Sequence, residues 1–138
     1  MSEERTCKDR IGTHYRERMD DLQKLWAAYT SGKEEVEDLG NLYEYGLCFD
    51  YVAPGTFGEK QKRGYFRYQL CWGGPSDEFR FFVDENLTPL RVEYWFMDWY
   101  DGAKKVARGK DLALLLELWG WFKECGTVEA ELKKAQEE

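Results

Sequence analysis

Hydrophobic positions in the first thirty residues follow a helical period. The apolar stripe of the amphipathic helix predicted here consists of Ile11, Tyr15, Leu22, Leu25 and Trp26, which recur mainly at steps of three and four. The pair Ser31 and Gly32 ends this helix. Residues 34–39 are predicted to form a second, short helix that stops at Gly40, because acidic side chains favour the positive end of a helix.

From residue 43 onward the period changes from helical to two, which is typical of half-buried strands. The first strand is predicted over residues 43–52. The inward set of the second strand is Phe66, Tyr68, Leu70 and Trp72. The third strand is predicted over residues 78–83 and the fourth over residues 90–99. The short glycine-rich turn at residues 73–77 makes an antiparallel hairpin the default connection between the second and third strands.

Bulky residues occupy both faces of the fourth strand from Tyr94 onward, so the pattern requires a cover on each side. Asp111 is a suitable N-cap for an almost wholly apolar helix over residues 112–122, and Gly126 suits its C-terminal end. Thr127 caps a last helix over residues 128–137. The sequence therefore predicts a single α+β domain over residues 1–138, a four-stranded antiparallel β-meander with helices at both ends of the chain packing on the sheet.

The net charge is −7, with 34% charged and 17% aromatic residues. A negative field repels polyanions, and phosphate contacts need clustered Lys and Arg, so the composition disfavours direct nucleic-acid binding. It favours basic proteins or cationic ligands as partners.

The four cysteines lie far apart in the sequence, at Cys7, Cys48, Cys71 and Cys125. No CxxC pair is present, so the pattern indicates free thiols rather than a zinc or redox site. The polar N-terminus lacks the apolar segment of a secretory signal, which predicts a cytoplasmic location. The longest apolar run, residues 112–122, is shorter than the ~20 residues that span a bilayer.

Candidate chemistry is sparse. His14 is the only histidine and has no nucleophile at catalytic spacing. The carboxylates at positions 77, 78, 93, 98 and 101 suit acid–base or metal chemistry only if they converge, and their spacing does not indicate convergence. The glycines at positions 73 and 74 join two strands and do not open a helix, so they do not form a phosphate-binding loop. No catalytic, cofactor-binding or metal-binding residue is predicted, and the chain is interpreted as a non-enzyme.

Charges are segregated along the chain. Residues 34–59 contain seven acids and no Lys or Arg, namely Glu34, Glu35, Glu37, Asp38, Glu44, Asp50 and Glu59. Two basic clusters follow, at Lys60, Lys62, Arg63 and Arg67 and at Lys104, Lys105, Arg108 and Lys110. Either these are ordinary solvated faces, or they form a surface that steers a basic partner into contact.

The role of the aromatic residues on and after the fourth strand is also open. Trp95, Trp99 and Tyr100, with Tyr65 on the outward side of a neighbouring strand, would form a stacking platform for bases or sugars. Without a surrounding basic groove, nucleic acid is disfavoured. These rings are therefore interpreted as part of the core, as an exposed protein-binding patch or as the lining of a small-ligand pocket.

One block of the chain, residues 64–70, 72–81 and 92–99, resembles a block found in small orphan proteins of plasmids and phages. The resemblance implies that small acidic proteins of mobile elements are the right reference class. Many of those act by occupying the nucleic-acid-binding surface of a host protein.

The leading hypothesis is a non-enzymatic acidic interaction protein of a mobile element, working in the host cytoplasm. It would inhibit a nucleic-acid-binding defence protein, of the CRISPR or restriction type, by occupying the basic groove of that nuclease or effector. The predicted partner-binding residues are Glu34, Glu35, Glu37, Asp38, Tyr43, Glu44, Tyr45, Asp50 and Trp95.

Two alternatives come from other classes of protein. One is a ligand-binding or catalytic domain with a pocket between the sheet and the apolar helix, lined by Trp99, Tyr100, Trp119 and Trp121, with Asp98 or Glu93 as its polar group. The other is a structural homodimer that pairs residues 112–122 across a two-fold axis.

Overall fold

The computed structural model describes residues 6–137. Within these residues, four helices and five strands follow one another. They are α1 (Cys7–Thr30), α2 (Leu42–Tyr45), β1 (Cys48–Val52), β2 (Tyr65–Cys71), β3 (Ser76–Val83), β4 (Pro89–Asp98), β5 (Asp101–Val106), α3 (Gly109–Glu124) and α4 (Thr127–Glu137). None of the helices within this part of the chain is long and apolar enough to cross a bilayer.

The strands form one antiparallel sheet in the order β1-β2-β3-β4-β5. The α+β class and the antiparallel meander are confirmed, but the prediction of four strands is wrong, because β5 adds a fifth. Residues 101–106 contain Asp, Gly, Ala and two Lys, which are depleted in strands, so they show little strand preference of their own. They pair because a two-residue turn folds them back onto β4, with Asp101 opposite Asp98.

The region between α1 and β1 also differs from the prediction. Residues 34–39 form no helix; instead the Val36 N–H donates to the Gly40 carbonyl at 2.8 Å, and Asp38 adopts a positive φ of 68°. A run of acids favours a helix N-terminus but does not supply the apolar stripe that would hold a helix against the core.

The start of the predicted first strand is wrong as well, since residues 42–45 form the helical turn α2. The Asn41 side chain accepts the Glu44 N–H at 2.9 Å and caps this turn. The strand itself begins at Cys48.

The helices pack on one face of the sheet. Large side chains aligned across the strands form the floor of the core, including Phe66, Phe79, Phe81 and Tyr94. The Trp119 ring of α3 stacks on Phe81 with ring centroids 5.3 Å apart, and Tyr15 of α1 packs against Tyr94 at 5.6 Å. The predicted helix over residues 112–122 lies within α3 and buries its large side chains inside its own chain, with Leu116 the exception.

A buried ionic network ties α1 to the sheet. Arg18 makes two hydrogen bonds to the carboxylate of Asp77, at 2.7 and 3.0 Å, and Asp77 is only 4% exposed. The Tyr94 hydroxyl donates to the same carboxylate at 2.6 Å. Arg18 also donates to the Tyr45 hydroxyl at 3.0 Å, and Tyr45 donates in turn to Asp21.

Candidate functional site

The acidic segment, residues 34–44, connects α1 to α2 and carries five exposed carboxylates. They belong to Glu34, Glu35, Glu37, Asp38 and Glu44. Within residues 6–137, no Lys or Arg nitrogen lies within 4.0 Å of any of these five groups. Their charges are therefore directed to solvent and are free to contact a partner.

A concave surface accompanies the acidic segment. A cavity of about 420 Å³ lies between the C-terminal turn of α1 and the segment, and its lining includes Tyr29, Glu34, Glu35 and Tyr43. Tyr43 is 65% exposed. Its ring nevertheless contacts Trp121 edge-on, with centroids 5.1 Å apart, and this contact holds an exposed aromatic group in one orientation.

Three of the nine predicted partner-binding residues occupy other surroundings. Asp50 accepts two hydrogen bonds from Arg67, at 2.7 and 3.0 Å, on the sheet face away from the helices; this contact raises the pKa of Arg67. Tyr45 belongs to the buried ionic network of Arg18. Trp95 also lies on the helix-free face of the sheet. The structure thus brings together six of the nine, at residues 34–44.

Among the described residues, the carboxylates at positions 77, 78, 93, 98 and 101 form no cluster of three or more, although Asp98 and Asp101 are opposite each other in the register and Glu78 and Glu93 line one cleft. Asp98 pairs with Arg10 at 2.6 Å, and Glu78 pairs with Arg80 at 2.7 Å. Asp101 accepts the Cys7 N–H at the start of α1, at 2.7 Å, and this bond lowers the pKa of Asp101. Each of these three acids therefore has its own partner, in an ion pair or at the start of a helix, which is typical of a structural role.

The aromatic residues of the alternative pocket do not meet either. Trp119 and Trp121 are buried in the core, whereas Trp99 and Tyr100 are exposed at the turn between β4 and β5. Glu93 lies on the face of the sheet that is turned away from α3. Residues opposite each other on neighbouring strands share a face, and Glu93 is opposite Arg80, which is not a core residue.

The helix-free face of the sheet forms a second concave surface, the open-face cleft, with a volume of about 720 Å³. Its floor is built by residues of β2, β3, β4 and β5, and residues 57–63 of the loop before β2 contribute to its wall. The cleft is lined by Phe57, Lys60, Gln61, Lys62, Arg63, Tyr65, Arg67, Trp72, Ser76, Glu78, Arg80, Phe82, Glu93, Trp95, Met97 and Lys104.

Alternating cations and rings make up the floor of the open-face cleft. The Arg80 guanidinium carbon lies 3.9 Å from the ring centroid of Trp95 and 4.6 Å from that of Tyr65. The Lys104 ammonium lies on the Trp95 ring at 5.7 Å. Cation–π contacts of this kind fix the side chains of four neighbouring strands relative to one another.

The open-face cleft is positively charged in a negatively charged protein. Six of its lining residues are basic and two are acidic, and both acids are already neutralised. Glu78 pairs with Arg80, and Glu93 pairs with Arg91 at 2.7 Å. The period-two pattern places Tyr65, Arg67, Arg80 and Trp95 on one face. Sequence analysis combined the rings of Tyr65 and Trp95 in a stacking platform but did not add the basic residues, because β5 and the position of the preceding loop were unknown.

Comparison with protein-family models, with curated proteins and with solved structures gave no match to this chain.

Proposed function

We propose that the protein is a non-enzymatic interaction protein that binds a basic protein through its acidic segment. The proposed partner is a host defence nuclease or effector of the CRISPR or restriction type, whose nucleic-acid groove the segment occupies in the host cytoplasm. The role in a mobile element is the one implied by the resemblance to small plasmid and phage proteins. The carboxylates take the place of phosphates in this complex.

The proposal rests on the difference between the two groups of acids. The five acids of strands β3, β4 and β5 are held by Arg side chains or backbone groups, whereas Glu34, Glu35, Glu37, Asp38 and Glu44 have no basic partner within residues 6–137. Five unpaired charges on an 11-residue stretch repel one another. A basic groove would relieve that repulsion and speed the encounter, while the oriented ring of Tyr43 supplies apolar contact.

A cleavage-protection assay tests the proposal. Purified restriction and CRISPR nucleases cleave a labelled DNA duplex with and without the protein, at salt concentrations from about 50 to about 300 mM. We expect inhibition of at least one nuclease, weakening as salt rises. The variant E34Q/E35Q/E37Q/D38N should inhibit about fourfold less well or worse, since four exposed ion pairs of about 0.2–1 kcal/mol each are lost.

A matched variant controls for total charge. E117Q/E124Q/E129Q/E137Q also removes four exposed acids that lack ion pairs within residues 6–137, but on α3 and α4. It should inhibit nearly as well as the wild type. An equal loss of inhibition in both variants would show a general charge effect and contradict the assignment to the acidic segment. The absence of inhibition of any of the nucleases tested would contradict the proposed function itself.

A further inference from the structure

We propose that the open-face cleft binds a nucleotide unit, a planar base joined to a phosphate. The unit is supplied either as a free nucleoside phosphate or as part of a single strand of nucleic acid. This inference is independent of the proposed function, because the cleft contains none of the residues of the acidic segment.

The available positive charge of the cleft lies on the loop before β2. Lys60, Lys62 and Arg63 line the cleft, and no carboxylate oxygen within residues 6–137 lies within 4.0 Å of their charged nitrogens. The other three basic residues of the lining are engaged by acids. Three unpaired cations beside a floor of neutralised charges match the phosphate of a nucleotide.

Two exposed rings lie beside these cations. Trp72 is 73% exposed and Phe57 is 62% exposed, and both line the cleft. Trp95 and Tyr65 are already covered by Arg80, so the rings available for stacking are those of Trp72 and Phe57. Stacking of a base on such a ring contributes ~1–3 kcal/mol and tolerates any base.

A buried hydroxyl without a partner is a third feature of the cleft. Tyr65 is only 2% exposed, and its hydroxyl has no hydrogen-bond partner among the described residues. Burial raises the pKa of Tyr65, so the group is a neutral donor at physiological pH. An unpaired buried hydroxyl is destabilising, so a ligand whose binding opens the floor of the cleft to this group and offers it an acceptor would be favoured.

Size and charge distinguish a nucleotide from other anionic ligands. The volume of about 720 Å³ falls within the range of small-molecule sites. The bases of a duplex are stacked inside the helix and do not reach the rings unless they are flipped out. An acidic peptide would match the charge but would leave the faces of Trp72 and Phe57 without a planar partner.

The net charge of −7 argued against nucleic acid in the sequence analysis, but the charge of the open-face cleft has the opposite sign.

Fluorescence anisotropy with a labelled oligothymidylate of about ten nucleotides tests this inference. We expect binding that weakens with salt. Trp72→Ala should weaken binding about 5-fold to 150-fold because one stacked base is lost. Tyr100→Ala removes an even more exposed ring outside the cleft and should change the affinity less than twofold.

The phosphate contacts have their own variant. K60Q/K62Q/R63Q should weaken binding and make the slope of log affinity against log salt shallower by about 2, as expected for three lost contacts to a single strand. K24Q/K110Q/K133Q removes three exposed lysines outside the cleft and should leave that slope nearly unchanged. Circular dichroism checks that each variant is folded.

Competition identifies the source of the nucleotide. Displacement of the strand by micromolar ATP assigns the cleft to free nucleotides, and resistance to millimolar ATP assigns it to single strands. The inference is overturned if polyglutamate or the annealed duplex competes as well as the single strand, or if neither the strand nor ATP binds. An affinity for the Trp72 variant equal to that of the Tyr100 variant would also overturn it.

Discussion

At the scale of single residues, the partner of each charge decides whether it stabilises the fold or faces solvent. Asp77 is buried and depends on Arg18, which reaches it from α1 with two hydrogen bonds. Glu34 and its neighbours in the acidic segment have no such partner among residues 6–137. Residues of the same chemical type therefore have opposite roles in one molecule.

Removing Arg18 should strongly destabilise the protein. In Arg18→Met the aliphatic part of the side chain is retained, but the buried Asp77 carboxylate loses its cation. Loss of one partner of a buried pair costs about 3–5 kcal/mol. Urea denaturation followed by circular dichroism measures this change in the free energy of unfolding.

Arg16→Met is the matched control on the same helix. Arg16 is half exposed and pairs with Asp20 and Asp111 at the surface, so its loss should cost less than about 1 kcal/mol. Similar losses for the two variants would mean that the Asp77 carboxylate is not dependent on Arg18 for its stabilisation.

At the scale of elements, the hairpin between β4 and β5 joins its strands through an unfavourable residue. Trp99 is the first of the two central residues of this turn and has a φ of 58°. Glycine is preferred at this position in two-residue hairpins, because L-residues with side chains disfavour positive φ. The Trp99 ring is 89% exposed, so burial does not offset the strain.

Glycine at position 99 should therefore stabilise the hairpin. The left-handed conformation costs an L-residue about 1–2 kcal/mol, and the entropy cost of glycine is about 0.5–1 kcal/mol, so Trp99→Gly should raise the free energy of unfolding by about 0.5 kcal/mol. Tyr100→Gly should lower it by about 0.5–1 kcal/mol, because Tyr100 has no positive φ to relieve. Thermal denaturation of both variants checks the sign of each change in the free energy of unfolding. Destabilisation by Trp99→Gly equal to that of Tyr100→Gly would contradict the strain argument.

At the scale of the whole molecule, the sheet separates two environments. One face packs against the helices and forms the aromatic core, and the other carries cations and rings around the open-face cleft. Trp119 and Trp72 illustrate the difference. The Trp119 ring stacks on Phe81 and donates its N–H to the Leu87 carbonyl at 3.1 Å, whereas the Trp72 ring faces solvent.

The two tryptophans should respond differently to truncation. Trp119→Ala leaves a cavity where α3 meets the sheet and should lower the free energy of unfolding by about 3–5 kcal/mol. Trp72→Ala should change it by less than about 0.5 kcal/mol. Guanidinium denaturation measures both values. A loss at Trp72 comparable with that at Trp119 would assign the exposed ring a structural role and weaken its place in the proposed nucleotide site.

The hydrophobic pattern was sufficient to predict most of the elements. The helical stripe from Ile11 to Trp26 predicted α1, the alternation around Phe66, Phe79 and Tyr94 predicted three neighbouring strands, and the apolar run after Asp111 predicted α3. These signals are local, because burial of one face imposes a period of 3.6 or of two on the residues themselves. The segregation of acids into residues 34–59 was likewise visible in the chain.

Only the tertiary structure decided which groups meet. The residues of β5 have little strand preference and pair because the turn at Trp99 returns them to β4. Pairing of Asp77 with Arg18 and of Asp50 with Arg67 joins residues that are far apart in sequence, so linear charge patterns did not reveal which acids are neutralised. The open-face cleft combines four strands and a loop, and its positive charge exists only once the fold places the basic loop before β2 beside the face that carries Tyr65, Arg80 and Trp95.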